Sequence, residues 1–283
     1  MNSGTGRQIV AASLLAALLV GGHGCSRDEA RLGTDEAREL YALSHISLRF
    51  GVVREFLDEQ IALHRATWTP EQFENASRVT EQRLSAEILS RKILDHLATQ
   101  PDPRFTAAVL EWLRTSEARQ VHEAAAITTD AEIAAEFKAF MAAEGQRQPS
   151  AERLALIERY DRAARCSSDS RSSLRLAIYA AGVMSDALAP SEARAGAEAS
   201  RKFAERKSEL LEPVFEELSA ITLQFAFRGL SDADVAAFVE RSESEPVQWY
   251  YRTLSNAFLG ALEEISSDLG AVFVAALESQ PDA

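Results

Sequence analysis

Cysteine is nearly absent from this chain. Two copies in 283 residues, Cys25 and Cys166, cannot build the framework of several disulfides that staples small secreted domains. Turn formers are scarce as well, with 13 Gly and 8 Pro, while Ala, Leu, Glu and Arg abound. That excludes a turn-rich all-β architecture and favours helices. Positive charge is in deficit: 30 Lys plus Arg face 43 Asp plus Glu, for a formal net charge of -13. Such a chain repels phosphate backbones, so nucleic acid is not an expected partner. Only one long apolar run exists, and it lies at the N-terminus.

That run extends from Ile9 to Val20, behind Arg7, and is followed by Gly21, Gly22, His23, Gly24 and Cys25. The order basic, apolar, small is that of a secretory signal. Its twelve residues fall short of the about 20 that cross a bilayer as a helix. Residues 1–24 are therefore expected to be a signal peptide. Gly24 before Cys25 suits lipid attachment at Cys25, although Gly22 and His23 stand where a lipoprotein signal usually has Leu and a small residue. Ordinary signal peptidase would also accept the small residues, leaving Cys25 as a free thiol. Ser26 rather than Asp follows the cysteine, which in a Gram-negative host favours the outer membrane. The expectation is an exported protein, anchored to the membrane through an N-terminal lipid and facing the periplasm.

Residues 25–33 read as a charged tether and 34–283 as one helical domain, with a lobe boundary expected near 145–150 in "GQRQPSAE". From Thr34 onward Leu40, Leu43, Ile46, Phe50, Val53, Leu57 and Ile61 recur at helical spacing. They predict one rod of about 30 residues and about 45 Å, weakest at Gly51. Start signals then follow in series: Thr69 with Pro70 and Gln72, Asp102 with Pro103, Thr129 with Glu132, Ser150, Ser231 and Ser244. Gly145 and Gly229 read as stops, Pro190 breaks "LAPSEA", and Pro213 either kinks a long helix or starts a new one. "CSSDSRSS" reads as a turn ending in caps. About ten helices result, in an antiparallel, bundle-like or two-lobed all-α arrangement.

In the last helix Val247, Tyr251, Leu254, Phe258, Leu262, Ile265, Leu269 and Val272 share one face, the expected core stripe. Trp249 falls opposite. Either another helix covers it, or Trp249 and Tyr250 form an exposed aromatic patch for a protein partner.

"EWLRTSEARQVHEA" (111–124) and "AFVERSESEPVQWY" (237–250) align without a gap, pairing Trp112 with Phe238, Leu113 with Val239, Ser116 with Ser242, Glu117 with Glu243 and Val121 with Val247. Both segments resemble the exported bacterial family known as domain of unknown function 2059, whose members carry an aromatic helix running into a Ser-Pro-small-Gly-basic motif. Thr115, Ser116 and Ala118 stand at the Ser, Pro and Gly places of one copy; Ser244, Glu245 and Val247 stand at those of the other. The resemblance implies an all-helical exported protein of unassigned activity.

Local catalytic signatures are missing. His23, His45, His64, His96 and His122 never fall four apart, and Ala126 stands where a metalloprotease helix needs its second His. No Gly-rich phosphate loop and no Gly-x-Ser-x-Gly elbow occurs. Cys166 reads as a half-buried helix residue. No cofactor, metal or catalytic residue is expected. The leading expectation is a non-enzymatic interaction or scaffold module. A carrier with an apolar pocket between helices, fed by Phe225, Phe227 and Tyr251, is the alternative, and an enzyme whose distant groups converge in a cleft is the third.

Overall fold

Every predicted start signal that can be inspected is met by a helix. The computed structural model describes residues 34–278 apart from 67, 101, 125–130, 145–148 and 190. These residues form thirteen α-helices and no strand: α1 (Thr34–Ser44), α2 (Ile46–Leu63), α3 (Pro70–Arg83), α4 (Ala86–Ala98), α5 (Pro103–Leu113), α6 (Ser116–Glu123), α7 (Ala131–Glu144), α8 (Ala151–Ala164), α9 (Cys166–Leu188), α10 (Ala197–Leu210), α11 (Glu212–Ala226), α12 (Asp232–Ser242) and α13 (Glu245–Glu278). The fold class is all-α. Thr69 closes a capping box, its hydroxyl accepting from Gln72 N at 3.2 Å while Gln72 Oε1 accepts from Thr69 N at 2.9 Å. Ser231 closes a second capping box with Asp234 on α12, while Asp102 and Ser150 cap α5 and α8 through their side chains alone, accepting from Arg104 N and Arg153 N. Pro213 sits in the first turn of α11, so it starts a helix rather than kinking one. Thr129, Gly145 and Pro190 lie outside the described residues.

Three boundaries differ from expectation, each for a local reason. The 30-residue rod is two helices, broken at His45 rather than at Gly51. His45 adopts a left-handed φ of 51°. Beside it the Ser44 hydroxyl donates to Tyr41 O at 2.7 Å and accepts from Ile46 N at 3.2 Å, serving both helix ends. "CSSDSRSS" is helix, not turn. Arg165 makes the turn in the left-handed region at φ 60°, and the hydroxyls of Ser170, Ser172 and Ser173 donate back to the carbonyls four residues earlier. Such back-bonding lets a hydroxyl-rich stretch stay helical. α11 ends at Ala226, three residues before the expected stop, so Gly229 falls in the turn before the Ser231 cap, where it lies close under Gln120.

The core is organised by α9 and α13, which share the most extensive interface; α13 also packs on α3, α4 and α5, and α9 on α2, α10 and α11. The predicted stripe of α13 is buried from Val247 through Leu269. Residues on both sides of 145–150 belong to one unit, Arg31–Ala283.

The expected membrane-anchored location is corrected by this body. Among the described residues no helix is long and apolar enough to cross a membrane. With 34 residues α13 has the length, but Arg252, Glu263, Glu264 and Asp268 interrupt it, and its apolar face is spent on the core. The signal segment, the tether and the acylation expected at Cys25 lie outside the described residues.

Candidate functional site

A half-open cavity of about 390 Å³ lies between α2, α9 and α10. Phe56, Gln60 and Ile61 of α2 form one wall, and α9 forms the floor with Leu174, Ile178, Ala181, Gly182, Met184 and Ser185. Phe203 and Lys207 of α10, with Leu211, form the other wall, and Trp68 closes one side. Helix periodicity places these groups: 174, 178, 181, 182 and 185 follow one face of α9, while 203, 207 and 211 step by fours.

Local devices hold the walls in place. Trp68 stands immediately before the Thr69 cap, so the capping box fixes where the indole enters. The floor is supported from behind, where Met184 Sδ accepts from the buried Thr80 hydroxyl at 3.8 Å. Gly182 lets α10 approach α9: a Cβ there would meet Ser200 Cβ at 3.0 Å. Asp186 secures the return loop, its carboxylate accepting from Ala195 N at 2.6 Å and Gly196 N at 3.1 Å.

The walls are mainly apolar, with three polar groups. The Gln60 amide, the Ser185 hydroxyl and the Lys207 ammonium make no side-chain hydrogen bond or ion pair with a described residue. A pocket of this size, mostly apolar with a few available polar groups, is the usual form of a small-molecule site. Apolar side chains also reach solvent beside it: Phe203 is 50% exposed and Leu210 75%, with Val214 and Leu218 continuing the row at four-residue steps on α11.

A second cluster gathers the perturbed groups, inside the core. Asp169 is buried and forms an ion pair with Arg49 at 3.6 Å, while accepting from Ser255 Oγ at 2.8 Å and Arg165 Nε at 3.3 Å. Burial nonetheless raises its carboxyl above the usual range, the Arg49 charge working in opposition. Nearby, burial pushes the Cys166 thiol up to about 12 and the Tyr160 and Tyr251 phenols well above the ordinary tyrosine range. His122 is held down to about 3 by burial and by the neighbouring His45 and Arg49; its Nδ1 is shielded and has no hydrogen-bond partner. At neutral pH this cluster therefore offers a neutral imidazole and a protonated thiol, not an activated nucleophile with its base. None of these side chains lines the cavity.

The residues expected to form a partner surface or to feed a pocket lie in the packed interior or against it. Tyr250 is 2% exposed and its ring meets Trp112 edge-on at 6.1 Å, so it cannot serve a surface patch. Trp249 is half-buried against Phe105 of α5, at 6.2 Å between centroids; a helix covers that side of α13 as well. Phe225, Phe227 and Tyr251, expected to feed a pocket, are core residues instead. Phe227 and Tyr251 both contact Tyr160, and Phe225 meets Phe137 and Phe140. His96 Nε2 donates to the Glu264 carboxylate at Oε1 over 2.9 Å, next to the Lys92 ion pair. Among the described residues no group of three or more His, Cys, Asp or Glu could hold a metal ion.

The two echoed segments are both helix joins, α5 to α6 and α12 to α13, and they touch through Trp112 and Phe238 at 5.7 Å. Their breaks fall at Thr115 and Ser244, whereas the ungapped alignment pairs Thr115 with Arg241, three residues out of step. The motif register, which pairs Thr115 with Ser244, brings the buried Ala118 and Val247 into equivalent places. No family model, no curated protein and no solved structure matches the chain.

Proposed function

We propose that the protein is a binding protein that holds an apolar small molecule in the cavity between α2, α9 and α10. One observation carries this reading: an open recess of about 390 Å³ whose largely apolar walls include polar groups not engaged by the fold. Burial of an apolar guest there removes both surfaces from water, the main source of affinity for such sites. The scaffold reading loses its expected aromatic patch, since Tyr250 is in the core.

Titration calorimetry with undecanol tests the proposal. Saturable binding to a single site with a negative heat-capacity change is the expected result. Ala181→Phe and, separately, Ser185→Phe put a ring into the recess and are expected to abolish the heat while circular dichroism stays helical. A wild-type protein that gives no saturable binding, or binding that survives both substitutions, would refute it.

A further inference from the structure

We infer that the ligand is an amphiphile with one anionic head, a carboxylate on an alkyl chain, and that Lys207 selects it. This rests on the cavity being the binding site, as proposed above. Lys207 is the one charged side chain in the lining of a protein whose net charge is -13. No described carboxylate pairs with it, although α10 itself pairs Lys202 with Glu198 at 3.3 Å. A cation left unpaired amid so much negative charge, at the edge of an apolar recess, is complementary to an anionic head on an apolar chain.

The placement suits such a head in a second way. Lys207 is exposed as a residue, yet it lines the cavity, so its methylene stem can run along the wall while the ammonium stays in water. A carboxylate meeting it at the mouth keeps most of its hydration, and the cost of burying an ion pair is avoided. The tail then enters between Phe56, Ile61 and Ile178. A single flexible ammonium fits a monoanion better than a phosphate dianion, which favours the planar, bidentate donors of Arg. A quaternary ammonium head would instead meet like charge.

The experiment compares three probes with one tail, undecanoate, undecanol and undecyltrimethylammonium, by calorimetry at low salt and again at high salt. Undecanoate is expected to bind roughly two- to five-fold tighter than undecanol, the range of a solvent-exposed ion pair. The ammonium probe should bind more weakly than the alcohol, and high salt should erase both differences. Within the carboxylate series, affinity should rise about four-fold per methylene until the recess is full. Lys207→Met, which keeps most of the stem, should remove the advantage of undecanoate over undecanol. If undecanol binds but undecanoate has no advantage, or keeps that advantage in Lys207→Met, the assignment to Lys207 is overturned and the cavity reading stands. If none of the three probes binds, both are overturned.

Discussion

Phe227→Ala is expected to lower the unfolding free energy by about 3–5 kcal/mol, the range for deleting a fully buried aromatic ring. Phe227 has no exposed surface, and its ring stands edge-on to Tyr160 at 5.2 Å and to Phe238 at 5.8 Å. It therefore joins α8, α11 and α12. Its carbonyl accepts from Arg153 Nη2 at 2.7 Å, and the same guanidinium donates to Leu230 O at 3.0 Å and Asp232 Oδ1 at 2.7 Å, clamping the α11–α12 turn. That clamp holds the backbone while the ring is removed, so the site collapses little and a cavity remains. Urea unfolding followed by circular dichroism checks this; the midpoint should fall with little change in slope. Phe203→Ala provides the contrast. Its ring is half exposed in the cavity wall, so stability should change by less than about 1 kcal/mol while probe binding weakens. A loss below about 1 kcal/mol for Phe227→Ala would show that its ring is not the packed element described.

The second large effect is a loss of stability in mild acid. His122 stays neutral in the fold until about 3, whereas in the unfolded chain it takes its proton near the ordinary 6.5. Between these values the unfolded state binds more protons, so stability rises with pH across that window. The contribution is fully present above about 6.5 and is lost as pH falls toward 3. At about 1.4 kcal/mol per unit, and discounted for the partly exposed edge of the ring, the loss is on the order of 3 kcal/mol. Asp169 acts in the opposite sense: its raised folded pKa makes the fold take up that proton first, which offsets part of the loss at the acid end. His122→Phe removes the titrating group and the unpaired Nδ1 together. Unfolding midpoints measured from pH 7.5 to 4.5 should be flatter in the variant, and at pH 7.5 it should be at least as stable as the parent. Parallel curves for the two proteins would contradict this account.

Helix starts were legible because they are written locally. Thr69, Asp102, Ser150 and Ser231 each satisfy orphan amides within three residues of themselves, so a short window contains the whole cause. The burial of α13 was legible too, since one period fixes its face. Breaks written against the pattern were not. His45 interrupts an apolar periodicity that continues unbroken from Leu40 to Ile61, and nothing in the spacing marks a left-handed residue. The serines of α9 carry turn chemistry that the helix absorbs through its own carbonyls.

The candidate site was largely illegible for a different reason. Periodicity tells which face of a helix is buried, not which helix covers it, and the cavity draws on α2, Trp68, α9 and α10, segments up to 155 positions apart from Phe56 to Leu211. A recess exists because the walls of α2 and α10 are held apart over the middle of α9, a tertiary fact. Two residues carry a local signal that the periodicity does not use: Gly182 lies inside a helix where a backbone comes close, and Phe203 is an exposed aromatic on a polar helix. The aromatics expected to be functional, Phe225, Phe227 and Tyr251 for a pocket and Trp249 with Tyr250 for a partner surface, follow from size and face alone, and packing claims them.

Binding in the cavity is the central claim, and Trp68 reports on it directly. A bromine at the end of an alkyl chain quenches an indole only when the two come into contact, so ω-bromoundecanol and ω-bromoundecanoate can be titrated against tryptophan fluorescence. Of the three tryptophans, Trp68 lines the recess, Trp112 is buried in the core and Trp249 packs on α5. Saturable quenching in the parent protein, absent in Trp68→Phe although calorimetry still detects the probe, is the predicted result. No quenching at saturating probe, or equal quenching with and without Trp68, would contradict it.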